Sequence, residues 1–227
     1  MIKKVDILGI QLDNYTVREA IMCVERYLSN DVLNTIESIS LQMLIDSENN
    51  PVLKKVISSL DLAVIGEKEI IQAAGLESLQ RIRETEENDF YFEFFKRIER
   101  NKKSVFLLGE TQEKTDALKA ELNEDFPKLI FAGEYAIENC IGDLEAVIND
   151  MNATTPDVII SVLPSPLQEE FLNEHRDKMN ANIWYGIGGI PIHKKKGGIV
   201  AYLKSIIHRG KLKNSISKYD GKEEDLQ

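Results

Sequence analysis

The chain has 227 residues, 43% hydrophobic and 29% charged, which is ample for one soluble globular domain or two closely packed halves. Its net charge of −10 argues against general nucleic-acid binding, and no apolar run approaches the ~20 residues that cross a bilayer. Cys23 and Cys140 stand far apart, which excludes a disulfide framework and fits a reduced, cytoplasmic setting.

The N-terminus, MIKKVDILGIQLD, is too short and too acid-interrupted for a signal peptide and reads as a first strand. Residues 3–12, broken by Gly9, suggest a β-ribbon or hairpin. Thr16 with Glu19 forms a capping box, and Ala20, Ile21, Val24 and Leu28 supply the apolar face of the helix behind it. Residues 31–39 read as a strand, Leu41, Leu44 and Ile45 start a helix, and Pro51 opens a further turn or helix. A second strand over 60–65 closes at Gly66. Residues 67–100 are mostly helical, with a polar break at 84–89 and then an aromatic cluster (Phe90 to Phe95) read as core.

A strand over 104–108 ends at Gly109, with a helix from Thr111 to about Asn123. A strand over 129–132 follows, with Gly133 and Tyr135 in the next loop, and then a helix over 144–151. Residues 157–189 form a last β-α-β unit: strand 158–163, a turn Ser165-Pro166-Leu167-Gln168-Glu169, and an amphipathic segment carrying Phe171, Leu172, His175 and Met179. An apolar run, 183–187, completes it among Gly186, Gly188 and Gly189. This alternation predicts an α/β fold, a mainly parallel Rossmann-like sheet with helices on both faces. Its expected domain spans 1–193, in halves of about 1–100 and 101–193, followed by a basic amphipathic helical segment and an acidic tail, 194–227.

In such sheets ligands sit at the carboxyl ends of the strands, so Ser165 to Glu169 and Gly186 to Gly189 are candidate walls of a crevice. Ser165 also reads as an N-cap with Pro166 at the first helical position, which accounts for Ser and Pro but not for Gln168. Gly109 precedes a helix whose N-terminus suits phosphate, although a single glycine is more readily a plain tight turn, and no Walker or GxGxxG sequence occurs. Residues 194–213 contain no acid, and Arg209, Lys211 and Lys213 suit an anionic membrane surface or a pyrophosphate, or else the solvated face of a docked helix. The three histidines form no triad or zinc pattern, and neither metal nor organic cofactor is expected.

Taken together, TVREA near the start, VFLLG before a helix, FPKLIFAGEY, DVIISVLPSPLQE and IGGIP resemble the WecG/TagA/CpsF family of bacterial glycosyltransferases over nearly the whole chain. The resemblance implies transfer of an N-acetylmannosaminyl or related sugar from a UDP-sugar to a lipid-pyrophosphate-linked acceptor in cell-wall or surface polysaccharide synthesis. It implies an inverting, metal-independent enzyme, cytoplasmic or peripheral at the inner face of the membrane; assembly as a homo- or hetero-oligomer is left open. Gln168-Glu169 matches the family's Pro-Lys-Gln-Glu turn, with Leu167 in place of Lys.

Several family positions differ. The Thr-x-Asn turn is Ser38-Ile39-Ser40, and the Gly-x-Asp segment is Glu87-Asn88-Asp89. The Pro-Asp-Gly turn, whose Asp is the family's proposed general base, aligns with Ile65-Gly66-Glu67 and leaves Glu67 one residue late. The family's later Phe-Asp pair falls near Pro191-Ile192. The resemblance thus assigns Glu67 as substitute base, with Ser38, Ser40, Asp89, Gly109, Ser165, Gln168, Gly186, Gly188, Gly189, Arg209, Lys211 and Lys213 binding substrate. The alternative expectation is a catalytically inactive relative, binding UDP-sugar or serving as partner subunit of an active transferase.

Overall fold

The computed structural model describes residues 4–76 and 78–188, so Gly189, Arg209, Lys211, Lys213 and the whole basic C-terminal segment lie outside the described residues. The chain opens with a hairpin, β1 (Lys4–Ile7) and β2 (Ile10–Asp13). Leu8 and Gly9 both take positive φ at its turn, and the Asp6 carboxylate accepts the Gly9 N–H at 2.9 Å. The remaining strands are β3 (Asn34–Ile39), β4 (Leu62–Ile65), β5 (Ser104–Gly109), β6 (Ile130–Ala136), β7 (Val158–Ser161) and β8 (Ile183–Gly186). They form one sheet in the order β1-β2-β4-β3-β8-β7-β5-β6, parallel throughout except for the β1–β2 hairpin.

Strand alternation divides the core between two faces. Ile36, Leu62, Val105, Leu107, Ile160 and Tyr185 point to one side, where they meet α1 (Val17–Tyr27), α6 (Asp89–Arg100) and α7 (Gln112–Asp125). Ile39, Phe106, Leu108, Ile159 and Trp184 point to the other. That side is covered by α2 (Leu41–Ser47), α3 (Pro51–Ser59), α4 (Lys68–Ala73), α8 (Glu145–Ala153) and α9 (Leu167–His175). The last helix, α5 (Leu79–Glu86), runs ahead of α6. The predicted capping box is present: Thr16 accepts the Glu19 N–H and the Glu19 carboxylate accepts the Thr16 N–H. The aromatic run of α6 is core, with Phe94 and Phe95 fully buried and Phe90 meeting Tyr185 edge-on at 5.7 Å between ring centroids.

Two polar clamps tie the strands together at their amino ends. Asp61 accepts the Thr35 N–H and hydroxyl at 2.8 and 3.0 Å. Asp157 accepts the Ser104 N–H and hydroxyl at the same distances. Both anchors sit away from the carboxyl edge, which stays open to function. Among the described residues no helix is long and apolar enough to cross a membrane.

Three local expectations change. Gly133 and Tyr135 lie inside β6, not in a loop, because a side chain at 133 would meet the Phe106 ring at 2.9 Å, and the register slips between Val105 and Phe106. A glycine within a strand here marks a bulge and a close approach. Residues 67–100 contain, besides the expected break before α6 at the left-handed Asn88, a second one after α4, where Gly75 takes φ +67, a conformation that ends helices. Finally, α9 starts at Leu167 with Pro166 at the N-cap, so Ser165 is not the cap. That helix gives way to a 3₁₀ turn over Arg176–Lys178, which leaves Met179 outside it.

Candidate functional site

Parallel strands place the ends of β2, β4, β3, β8, β7 and β5 along one edge, with β8 inserted between β3 and β7. From β3 the chain moves outward to β4, and from β5 it moves the opposite way to β6, so the connections diverge on either side of β8. A crevice is expected where connections diverge in this way.

On the α6 side of that edge, the Ser38 and Tyr185 hydroxyls are 3.0 Å apart, and both residues are buried. Burial raises the Tyr185 phenol well above its ordinary range, which keeps it a neutral hydrogen-bonding group at any working pH. With Gly66, Arg81, Glu84 and Asn88 these two residues line a crevice. Next to it, Ser40 caps α2 by accepting the Met43 N–H at 3.2 Å. The Glu67 carboxylate accepts the Leu41 N–H at 3.3 Å. The N-terminus of α2 is therefore met by a hydroxyl from β3's end and a carboxylate from β4's end, a stabilising arrangement for negative charge.

Arg81 was not singled out from the sequence. In α5 it forms an i,i+3 pair with Glu84 at 3.0 Å, and both side chains are more than nine-tenths buried. Asn14, just past β2, accepts from Arg81 Nε at 3.4 Å, while Glu84 also accepts from Val17 N–H and from Gln80. In sequence such a spacing reads as an ordinary solvated helix face; only tertiary burial distinguishes it. A guanidinium has five N–H donors, so a cation held here retains capacity toward an anion in the crevice.

Asp89 lies half-buried in the first turn of α6, after Asn88 in the left-handed conformation. Burial, then the charges of Glu87 and Glu84, raise its carboxyl above the usual range despite Arg83. Gly109 ends β5 farther along the edge, and a side chain there would overlap the Thr115 hydroxyl of α7. The α7 N-terminus is occupied by the chain itself: Thr111 accepts the Lys114 N–H and the Glu138 carboxylate accepts the Gln112 N–H at 2.6 Å.

The family-like turn lies on the α9 side. Gln168 and Glu169 are fully buried, and the Gln168 amide packs against Gly186 and Gly188, where a side chain at Gly186 would overlap it. Ser165 Oγ is also buried there, against the Glu169 carboxyl. Ser38, Ser40, Glu67 and the Gly186 end of β8 thus converge on one stretch of the carboxyl edge. Gly109 stands two strands beyond β8, and Gln168 supports the edge from behind. Among the described residues no cluster of three or more His, Cys, Asp or Glu side chains is arranged to hold a metal.

A family model described as "Glycosyl transferase WecG/TagA/CpsF family" matches residues 5–191. Curated relatives from Staphylococcus aureus strains NCTC 8325, COL and MRSA252 are 22% identical over 188 residues, covering 82% of this chain and 73% of theirs. Each carries the name N-acetylglucosaminyldiphosphoundecaprenol N-acetyl-beta-D-mannosaminyltransferase.

Proposed function

Because the chain belongs to the WecG/TagA/CpsF glycosyltransferase family, we propose that it transfers an N-acetylhexosamine from a UDP-sugar to a lipid-pyrophosphate-linked sugar; its relatives' name describes N-acetylmannosaminyl transfer to N-acetylglucosaminyldiphosphoundecaprenol. The observation that carries this reading is the convergence of Glu67, Ser38, Ser40 and the buried Arg81 at the ends of β3 and β4, within a chain matched over nearly its full length.

The chemistry is a single displacement. The acceptor hydroxyl loses its proton to a carboxylate as its oxygen bonds to the anomeric carbon, and the bond from that carbon to the UDP oxygen breaks with inversion. In this reading that carboxylate is Glu67, which follows the crevice-lining Gly66 just past β4. Its carboxylate accepts the Leu41 N–H, which holds it at the N-terminus of α2. Charge developing on the departing diphosphate is met by a cation and by backbone or hydroxyl donors, with no metal required. Arg81, Ser38 and Ser40 fill those roles in this reading, Gly186 and Gly188 form the wall of the donor pocket, and Arg209, Lys211 and Lys213 hold the membrane-bound pyrophosphate.

The test is UDP release from UDP-N-acetylmannosamine in the presence of a lipid-linked N-acetylglucosaminyl diphosphate. Replacing Glu67 with Gln keeps an oxygen for the Leu41 N–H and removes the base, so turnover falls by about 10²–10⁴-fold with an unchanged fold. Unchanged turnover would remove Glu67 from the mechanism.

A second reading has a specific motive: Gly66 stands where the family carries its base, and the Glu67 carboxylate caps α2. In that reading the chain binds UDP-sugar without turning it over, or supports an active transferase. Calorimetry separates the two, since UDP binding without turnover of any lipid-linked acceptor favours the second.

A further inference from the structure

Behind the crevice lies a buried polar group that the transfer reaction leaves unexplained. Glu37 sits in the middle of β3, in register with Ala63 of β4 and Gly186 of β8, and is fully buried. By alternation it points away from Ser38, to the face covered by α9. There it meets Gln168, Glu169 and Trp184, all fully buried. Trp184, Gln168 and Glu169 all approach the Glu37 carboxyl, yet neither Glu37 oxygen, nor Gln168 Oε1, Glu169 Oε2 or Trp184 Nε1, has a hydrogen bond of good geometry, while Gln168 Nε2 reaches Glu169 Oε1 at 3.5 Å.

Native proteins rarely leave so many polar atoms unsatisfied in one place, and such a group calls for a reason. The glycines supply one. A side chain at Gly186 would come within 2.9 Å of Glu37 Cγ and would overlap the Gln168 amide. At Gly188, which has φ +40, an added Cβ would lie 3.1 Å from Gln168 Nε2. The stem of Glu37 and the amide of Gln168 thus share the space under one glycine, and that amide is the surface on which the end of β8 rests.

Two carboxylates in one dry compartment do not both ionise. Burial, then the neighbouring Glu169 charge, hold the Glu37 carboxyl well above the usual range, and burial raises Glu169 too. A neutral carboxylic acid carries an O–H donor, the element that Gln168 Oε1 and Glu169 Oε2 lack.

We propose that Glu37 is a positioning residue: as a hydrogen-bond donor among Gln168, Glu169 and Trp184 it fixes the Gln168 amide beneath Gly186 and Gly188, and so sets how tightly the strand-end crevice holds a nucleotide. The nucleotide part rests on the transferase-family reading above; the fixing of Gln168 does not.

The experiment compares wild type with Glu37→Gln and Glu37→Leu, reading the side-chain amide resonances of ¹⁵N-labelled Gln168 and the UDP dissociation constant by calorimetry. Glu37→Gln retains a neutral donor, so the amide signals stay close to wild type and UDP affinity stays within about twofold. Glu37→Leu shifts or broadens those signals and weakens UDP about 5- to 10-fold, the scale of one lost hydrogen bond. Unmoved Gln168 signals in a folded Glu37→Leu protein overturn the proposal. If UDP binds none of the three proteins, the nucleotide reading fails, while the amide signals still decide the positioning role.

Should Glu37→Leu not fold, wild type and Glu37→Gln are compared by urea unfolding across pH. A carboxyl whose folded value is raised loses stability as pH climbs above its unfolded value, about 4.3. Wild type therefore declines above that pH relative to Glu37→Gln, and parallel profiles overturn the proposal.

Discussion

The hydroxyls of Ser38 and Tyr185 meet at 3.0 Å across the adjacent strands β3 and β8, which come from opposite ends of the chain. Register makes the meeting possible: Ile36 pairs with Tyr185, so Ser38 lies two residues on along the same face. Tyr185 is otherwise packed among Phe90 and Phe94, so its aromatic body is held in the core while its hydroxyl meets Ser38 at the crevice.

Removing that bond has a measurable cost. Tyr185→Phe preserves the ring contacts and deletes one buried hydroxyl, for a loss of about 1 kcal/mol in urea unfolding. Ser38→Ala should cost a similar amount, and the double variant little more, which gives a coupling energy of about 1 kcal/mol. Additive losses would show that the two hydroxyls do not support one another.

Arg81 and Glu84 give a sharper contrast between fold and function. Arg81→Met leaves the Glu84 carboxylate buried beside Asn14 and Val17, at a cost of about 3 kcal/mol. Adding Glu84→Gln removes the stranded charge and recovers most of that stability. UDP binding should not recover, because the cation that faces the crevice is still absent. Chemical unfolding and calorimetry on the two variants check both halves of this expectation.

The order of strands and helices could be read from the chain because hydrophobic runs and caps are local signals. Thr16 with Glu19, Pro51, and the run 158–163 declare themselves within a few residues. What escaped reading depends on contacts between distant segments. Gly133 looks like a loop residue until the Phe106 ring is placed against it, and Arg81 looks solvated until Asn14 and the start of α1 close over it. Glu37 falls within the strand read over 31–39, but nothing in that run tells that β3 is central and carries helices on both faces, which buries it. The Ser165 to Glu169 turn is marked by its place at a strand end and then by the family resemblance; its burial beneath Gly186 is a tertiary fact that no spacing conveys.

Acid stability should carry the mark of Asp157. Burial by itself would raise its carboxyl, but the Lys103 ammonium and the Ser104 N–H and hydroxyl outweigh burial and hold it below the ordinary value. A depressed carboxylate contributes stability above its unfolded value, near 3.9, and that contribution is lost as pH falls through the lower folded value. Asp157→Asn should therefore be less stable than wild type at pH 7, with the gap closing below about pH 4. Urea midpoints at pH 7 and pH 3 test this, and a constant gap would mean that Asp157 acts only through its shape.

Gly109 can be tested for packing apart from ligand binding. An alanine Cβ at 109 would overlap the Thr115 hydroxyl, which sits fully buried in the first turns of α7 and donates to the Thr111 carbonyl at 3.0 Å. Overpacking of this kind costs about 1–3 kcal/mol. Thr115→Ala removes the obstructing oxygen and, with it, that bond. If close packing is the reason for glycine here, Gly109→Ala combined with Thr115→Ala is more stable than Gly109→Ala alone, and UDP affinity is untouched in the double variant. If the glycine instead lets phosphate approach the end of β5, stability recovers while UDP binding stays weakened, because the added methyl still stands at the strand end. Measuring both quantities on the same three proteins decides whether this turn belongs to the site or only to the fold.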